Sequence, residues 1–211
     1  MTPPMVDIHT HRPARRPDVV EWPDGSADGC VGMHPWHISP AGWDDIRRRA
    51  AEAQAVGECG LDRRCATPWD VQTEWFVRQI ELSAQLGKPL VVHCVRAYDE
   101  VARLHRLHPH HPTWIMHGYG SSAEWLMQQG DGIVASFGAA IMHPGKARRA
   151  LTACPPHRLL LETDTSDVGI AAIYECAARL RGIGTDELRL TVWRNFGRIA
   201  GLRTDGSEAL F

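Results

Sequence analysis

His9 and His11 flank a single threonine at the end of the run Met5-Val6-Asp7-Ile8. Alternate residues of a strand point to the same side, so both imidazoles can chelate one ion. An isolated pair of this kind reads equally well as two surface histidines at a strand end. Four further apolar runs, however, lead into residues of the same chemical type. Ala55-Val56-Gly57 leads into Glu58, Pro89-Leu90-Val91-Val92 into His93, Trp114-Ile115-Met116 into His117, and Leu159-Leu160-Leu161-Glu162-Thr163 into Asp164. A glutamate that ends an apolar run is costly to bury unless it is paired or bound to a cation. Taken singly, each is an ordinary hydrogen-bonded histidine or a helix-capping carboxylate. Taken together, His9, His11, Glu58, His93, His117 and Asp164 form a mixed nitrogen and oxygen set of six. One tetrahedral zinc uses only about three or four protein ligands. A larger set suits two ions about 3.5–4 Å apart that share a carboxylate and leave positions open for water and substrate. Such a pair makes hydroxide near neutral pH and clamps an oxygen of a phosphate or carbonyl group.

These residues meet only if their strands run parallel and end on one face. The sequence carries seven short apolar runs, at 5–9, 30–34, 55–58, 89–93, 114–117, 132–136 and 159–162. Each is bounded by Gly, Pro or polar residues, as buried parallel strands are. Amphipathic stretches follow at 41–53, 69–86, 97–107, 121–129, 145–153, 170–182 and 186–200. The 69–86 stretch stops at Gly87-Lys88-Pro89, a glycine cap with proline beyond. Alternation of this kind predicts an α/β fold with a parallel sheet. A (β/α)8 barrel usually takes about 250 residues. The 211 residues therefore predict a trimmed TIM-like (β/α) barrel of the metal-dependent hydrolase type, one domain over 1–211 with one unit degenerate. In such a barrel the C-terminal strand ends share the face where active sites form. The competing doubly wound sheet advertises a glycine-rich phosphate loop after its first strand, whereas here His-Thr-His follows.

Composition narrows the classes further. With 44% hydrophobic and 23% charged residues the chain is average for a globular protein, which excludes disordered, collagen-like and coiled-coil classes. No run approaches the ~20 apolar residues of a membrane span, and no signal peptide is visible at Met1-Thr2-Pro3-Pro4. A net charge of −2 gives no electrostatic reason for tight nonspecific nucleic-acid binding. None of the six cysteines has C-x-x-C spacing, so they read as buried thiols in a reducing, cytoplasmic compartment.

The order Asp7-Ile-His9-Thr-His11, Gly32-Met-His34-Pro35, Gly57-Glu58-Cys-Gly60-Leu61-Asp62, Gln72…Phe76…Gln79, Lys88-Pro89-Leu-Val-Val-His93, His117-Gly, Ser136-Phe137-Gly138 and Leu161-Glu162-Thr163-Asp164 resembles the TatD family of metal-dependent hydrolases. The likeness runs from residue 5 to about 200 and includes the Asn195-Phe196 helix. The resemblance implies one ion held by His9, His11, Glu58 and Asp164, and another held by Glu58, His93 and His117. It also implies that Glu58 bridges them and that Asp164 orients or deprotonates the attacking water. Family members are described as nucleases of single-stranded DNA ends, and some as deacylases of mischarged tRNA.

The chain departs from the family around this cage. The family's H-P-H is His34-Pro35-Trp36, and Arg63-Arg64 replace the residues after G-L-D. The arginine after the strand of His93 is shifted to Arg96, and Gly118-Tyr119 replaces C-F after His117. The E-T-D is followed by Thr165-Ser166-Asp167, and the chain is about 50 residues shorter than is typical of the family. His34, Arg63, Arg96 and Tyr119 are the candidate substrate contacts, since arginine forks suit phosphate oxygens. His105, His108, His110 and His111 cluster after a helix, on the opposite face of the barrel, as surface residues or an adventitious metal site.

The expectation is a hydrolase with two divalent ions that cleaves phosphodiesters, acting as an exonuclease on single-stranded DNA with no obligate protein partner. Mixed His and carboxylate ligands accept zinc, manganese, magnesium or nickel. The alternatives are an ester or amide hydrolase of a small molecule or aminoacyl-tRNA, and a metal-binding protein without catalysis.

Overall fold

The run Ala55–Asp62 shows how the sheet is built. All eight of its residues are buried, and its glycines let the neighbouring strand come close. A Cβ at Gly60 would lie 2.0 Å from the His93 carbonyl oxygen, and one at Gly57 would lie 2.5 Å from that of Val91. Both glycines also have positive φ, which L side chains rarely adopt. The backbone between them therefore carries Glu58 into the interior beside the strand of His93.

The computed structural model describes residues 2–109 and 111–202. Its strands are β1 (Met5–Thr10), β2 (Val19–Pro23), β3 (Cys30–Val31), β4 (Ala55–Asp62), β5 (Leu90–Val95), β6 (Trp114–Met116), β7 (Ile133–Phe137) and β8 (Leu159–Leu161). The helices are α1 (Trp43–Glu52), α2 (Trp69–Leu86), α3 (Tyr98–Leu107), α4 (Ala123–Gln128), α5 (Lys146–Ala153), α6 (Ile170–Arg181) and α7 (Thr185–Ala200). None of these helices is long and apolar enough to cross a membrane. All six cysteines are free thiols.

Every strand pairing is parallel. β1 pairs β2, and β3 to β8 follow one another in chain order. Isolated parallel bridges join the two sheets at both ends, Asp24 to Cys30 and Thr10 to Asp164. The strands thus circle in chain order as a TIM-like (β/α) barrel, with single bridges where a regular barrel has ladders. Side chains of the outer helices serve the seam between β1 and β8. The Tyr174 hydroxyl of α6 bonds Val6 N at 2.9 Å and Val6 O at 3.2 Å. Asn195 of α7 donates to Leu159 O at 2.8 Å.

The seven helical stretches form within two residues of their expected bounds, and Gly87 ends α2 in the left-handed conformation. The strand count differs from expectation. Val19–Pro23 is an eighth strand, so β1, β2 and β3 follow one another with no helix between them. The degenerate part of the barrel is therefore these first connections. Two buried glutamines of α2 hold the loops that leave β3 and β4. Gln79 accepts from Met33 N at 2.6 Å and donates to Met33 O at 3.0 Å. Gln72 accepts from Asp62 N at 2.8 Å and donates to Thr67 O at 2.7 Å.

Candidate metal centre

Glu58 is the hub of the C-terminal face. Its Oε2 lies 3.3 Å from His9 Nε2 and 3.5 Å from His11 Nε2. Its Oε1 lies 2.7 Å from His93 Nδ1, 2.7 Å from His117 Nε2 and 3.3 Å from His34 Nε2. One carboxylate thus turns one oxygen to each of two histidine groups. Asp164 Oδ1 joins the first group, 3.6 Å from His11 Nε2. The strands do this directly: β1 projects His9, β4 projects Glu58 and β5 projects His93, while His11, His34, His117 and Asp164 stand just beyond strand ends. Asp164 has φ +54° and is held between His9 O, which accepts its amide at 3.0 Å, and His11 N, which donates to its carbonyl at 3.0 Å. Asp7 fastens the same junction, accepting from Thr163 N at 2.8 Å and Thr163 Oγ at 2.7 Å. Burial pushes the Asp7 carboxyl up to about 7, although both hydrogen bonds oppose this.

The far sides of the histidines are also occupied. His93 Nε2 lies 3.3 Å from Asp62 Oδ2, and His117 Nδ1 faces Glu162 Oε1 at 3.7 Å. His11 Nδ1 faces Asp24 Oδ2 at 3.7 Å, and His9 Nδ1 meets the Cys30 thiol at 3.8 Å. Four imidazoles therefore point one nitrogen at Glu58 and the other at an acid or thiol, an arrangement that orients metal-binding histidines. His34 differs: its Nδ1 accepts the Trp36 amide at 3.1 Å, which places the proton of a neutral ring on Nε2. It is a donor toward the cavity.

Electrostatics fit this picture. Burial would raise the Glu58 carboxyl, but His117, His11 and His34 overcome it and hold the group well below the usual range. Burial acts the same way on the wholly enclosed Glu162, and His117 and His9 again prevail. His117 is raised against its own burial by Glu58 and Glu162. Buried ring nitrogens His9 Nε2 and His117 Nδ1 have no hydrogen-bond partner. Donor atoms converge within 4.8 Å in the groups His9-His11-Asp164, His9-Glu58-His117 and His34-Glu58-His93. The orphaned His9 Nε2, 3.3 Å from the ionised Glu58 carboxylate, is what a divalent cation would satisfy, so the residues fit one.

A cleft of about 470 Å³ opens over the cluster, lined by His11, Asp24, His34, Trp36, His37, Glu58, His93, His117, Asp164 and Thr165. Three expected substrate contacts do not line it. Tyr119 is buried and its hydroxyl donates to Ser122 O at 2.8 Å, because Gly118, with φ +54°, turns the chain inward. Arg63 lays its guanidinium over the Trp69 ring at 4.0 Å. Arg96, with φ +54°, points into solvent. The second histidine cluster is not a ligand set among the described residues. His111 instead bonds Ile80 O through Nε2 at 2.8 Å and receives the Trp114 indole N–H on Nδ1 at 2.8 Å; His110 lies outside the described residues.

Sequence reasoning passed over Asp24, His37, Asp62 and Glu162 as parts of the site, and raised Trp36, with Trp22 and Tyr119, as a wall for a base pocket against the commoner role of packing. Asp62 and Glu162 did leave a signal, since each is an acid within four residues of an expected ligand at the end of an apolar run. Asp24 follows the strand that went unrecognised.

Comparison with known proteins gives one coherent set of relatives. The family described as TatD related DNase matches residues 24–201. A protein of Pantoea sp. (strain At-9b) named 3'-5' ssDNA/RNA exonuclease TatD is 32% identical over 163 residues, 69% of this chain and 60% of that protein. The uncharacterized metal-dependent hydrolase YjjV of Escherichia coli (strain K12) is 33% identical over 152 residues, 66% of this chain and 58% of its own. The chain thus spans about three fifths of the length of these curated relatives. Among solved structures, the E. coli TatD homolog YJJV superposes with a TM-score of 0.80 at 21% identity, covering 96% of this chain and 100% of that one. A hydrolase TatD family protein from Entamoeba histolytica gives 0.75 at 13% identity, covering 94% and 98%.

Proposed function

This chain belongs to the TatD-related DNase family, and from that membership we propose that it is a divalent-metal-dependent hydrolase that removes nucleotides from a single-stranded nucleic-acid end. The observation that carries the reading is Glu58, with one carboxylate oxygen turned to His9 and His11 and the other to His93 and His117. His9, His11, Glu58 and Asp164 would hold one ion, and Glu58, His93 and His117 a second. Zinc, manganese, magnesium and nickel all suit such mixed ligands. Divalent ions in this kind of cage polarise a phosphoryl oxygen and lower the pKa of water.

The chain's own residues supply the rest. Asp164 is partly open to the cleft and beside His11, placed to orient the attacking water and take its proton through Oδ1. His34 presents Nε2–H to the same space and donates to a non-bridging phosphate oxygen. The water oxygen bonds to phosphorus, the bond to the leaving sugar oxygen breaks, and that oxygen takes up a proton. The 1–211 span acts as one catalytic unit in the cytoplasm, with single-stranded DNA or RNA as its substrate.

The test is a time course on an end-labelled single-stranded oligonucleotide with Mn²⁺, Mg²⁺, Zn²⁺ or EDTA. Stepwise loss of nucleotides from the 3' end, abolished by EDTA, is expected, in line with the naming of the Pantoea relative. Full-length oligonucleotide under every metal would overturn the proposal.

A further inference from the structure

Trp36 is 56% exposed, yet it is not a loose surface ring. Its indole N–H donates to Asp62 Oδ2 at 2.6 Å, and Asp62 is only 1% exposed. Its ring meets that of His34 at 5.2 Å and 87°, and that of His93 at 6.3 Å and 75°. The preceding Pro35 is buried and fixes the turn that carries it. Of the five large apolar side chains that are exposed among the described residues, only Trp36 lines the cleft over Glu58. Single exposed apolar residues are common and need no special account. An indole clamped by a buried carboxylate, against two histidines of the cluster, is a different case. Its position is set before anything binds, so little rotamer freedom is left to lose.

We propose that Trp36 is a stacking platform for the nucleobase beside the scissile phosphate, which makes the substrate of this site a nucleotide-bearing strand end rather than a bare phosphate ester. The proposal rests on the phosphodiesterase reading above. Three features point to a base. A flat, rigid π-face is sequence-tolerant and suits every nucleobase. Its neighbour His93 lies on Glu58 at 2.7 Å, so a base on Trp36 would hang from the sugar next to the cluster. The family motif carries histidine at this place, so the indole is a feature of this chain that the shared chemistry does not require.

The experiment compares wild type, Trp36→Ala and Trp36→Phe on two oligonucleotides that differ only at the attacked end, one with a normal terminal nucleotide and one with an abasic terminal residue. Bound metal is measured in each protein. Wild type is expected to lose about tenfold in kcat/KM on the abasic end, the size of one stacking contact. At saturating metal, Trp36→Ala is expected to cleave both equally slowly with the ions still bound, and Trp36→Phe to keep most of the discrimination. A general structural defect would slow both substrates alike and leave the ratio intact, so a wild-type ratio in Trp36→Ala overturns the platform. Binding is read separately, by titrating tryptophan fluorescence of wild type and Trp36→Phe with adenosine 5'-monophosphate and with ribose 5-phosphate. A saturable quench by the nucleotide alone, absent in Trp36→Phe, supports stacking even where no oligonucleotide is cleaved; that combination overturns the phosphodiesterase reading instead. Cleavage without such a quench overturns the platform.

Discussion

Tyr174 and Val6, 168 positions apart, are joined by two hydrogen bonds through one hydroxyl, which accepts from Val6 N and donates to Val6 O. The pair replaces part of the missing ladder between β1 and β8. Tyr174→Phe keeps the ring and removes both bonds, leaving a buried amide without a partner. Such a loss costs about 1–3 kcal/mol, or roughly 2–12 °C in a chain of this size. Thermal unfolding of the variant reads this directly; an unchanged midpoint would show that the hydroxyl carries no load at the seam.

Glu58→Gln should remove the ion-binding centre rather than trim it. An amide keeps the shape of the group but replaces one of its two charged acceptors with a donor, facing histidines that converge on it. Elemental analysis after dialysis is expected to find the variant stripped of metal, with oligonucleotide hydrolysis lost alongside. Normal metal content would refute the role of Glu58 as the shared ligand.

Glu162→Gln tests the carboxylate behind His117. The amide can still accept from Gly118 N, which now donates to Glu162 Oε1, so the fold should survive. What changes is the negative charge facing His117 Nδ1. Removing such a partner weakens metal binding by about 10- to 100-fold. Chelator competition measures the affinity, and circular dichroism checks the fold. Equal affinity in the two proteins would rule out any orienting role.

His105 and His111 predict the sign of an acid effect on stability. Burial lowers both, assisted at His105 by His111, Arg158, Arg106 and His108, and at His111 by His108. For His111 the carbonyls of Pro112 and Ile80 oppose the shift. A histidine lowered in the folded state contributes stability that is complete above its unfolded pKa of about 6.5 and is lost as pH falls below it. Each proton taken up only by the unfolded chain tilts stability by about 1.4 kcal/mol per pH unit. Asp7 and His117, both raised in the folded state, act in the opposite direction, so the effect is read as a difference: between pH 7.5 and pH 5.5 the urea midpoint of the wild type should fall relative to that of His111→Gln. A steeper fall in that variant would reverse the assignment.

The helices were legible because their apolar spacing and glycine caps are local signals, and α2 closes at Gly87 as its sequence says. The ligand-type residues were legible because each stands at the end of an apolar run on a barrel's active face. β2 was not, since Glu21 and Pro23 interrupt a short run that follows Pro13 and Pro17, and proline argues against a strand interior. Asp24 was hidden with it. Tyr119 misled because proximity to His117 in sequence says nothing about a turn at positive φ, which sends the ring inward to Phe137 and Trp125. Trp36 was weighed as one of eight tryptophans, most of which pack interiors; its hydrogen bond to Asp62, 26 positions away, and its place over the cluster distinguish it.

Asp62 Oδ2 serves two masters, the Trp36 indole at 2.6 Å and the His93 imidazole at 3.3 Å. That sharing makes the rim of the cleft and its floor thermodynamically coupled. Any occupant that draws Trp36 away from the carboxylate strengthens its hold on His93, and any change in the charge of His93 alters the grip on the indole. Reciprocity then requires that ion affinity and strand-end affinity shift by the same factor in either direction. Loading of the cage and capture at its rim would then each report on the other.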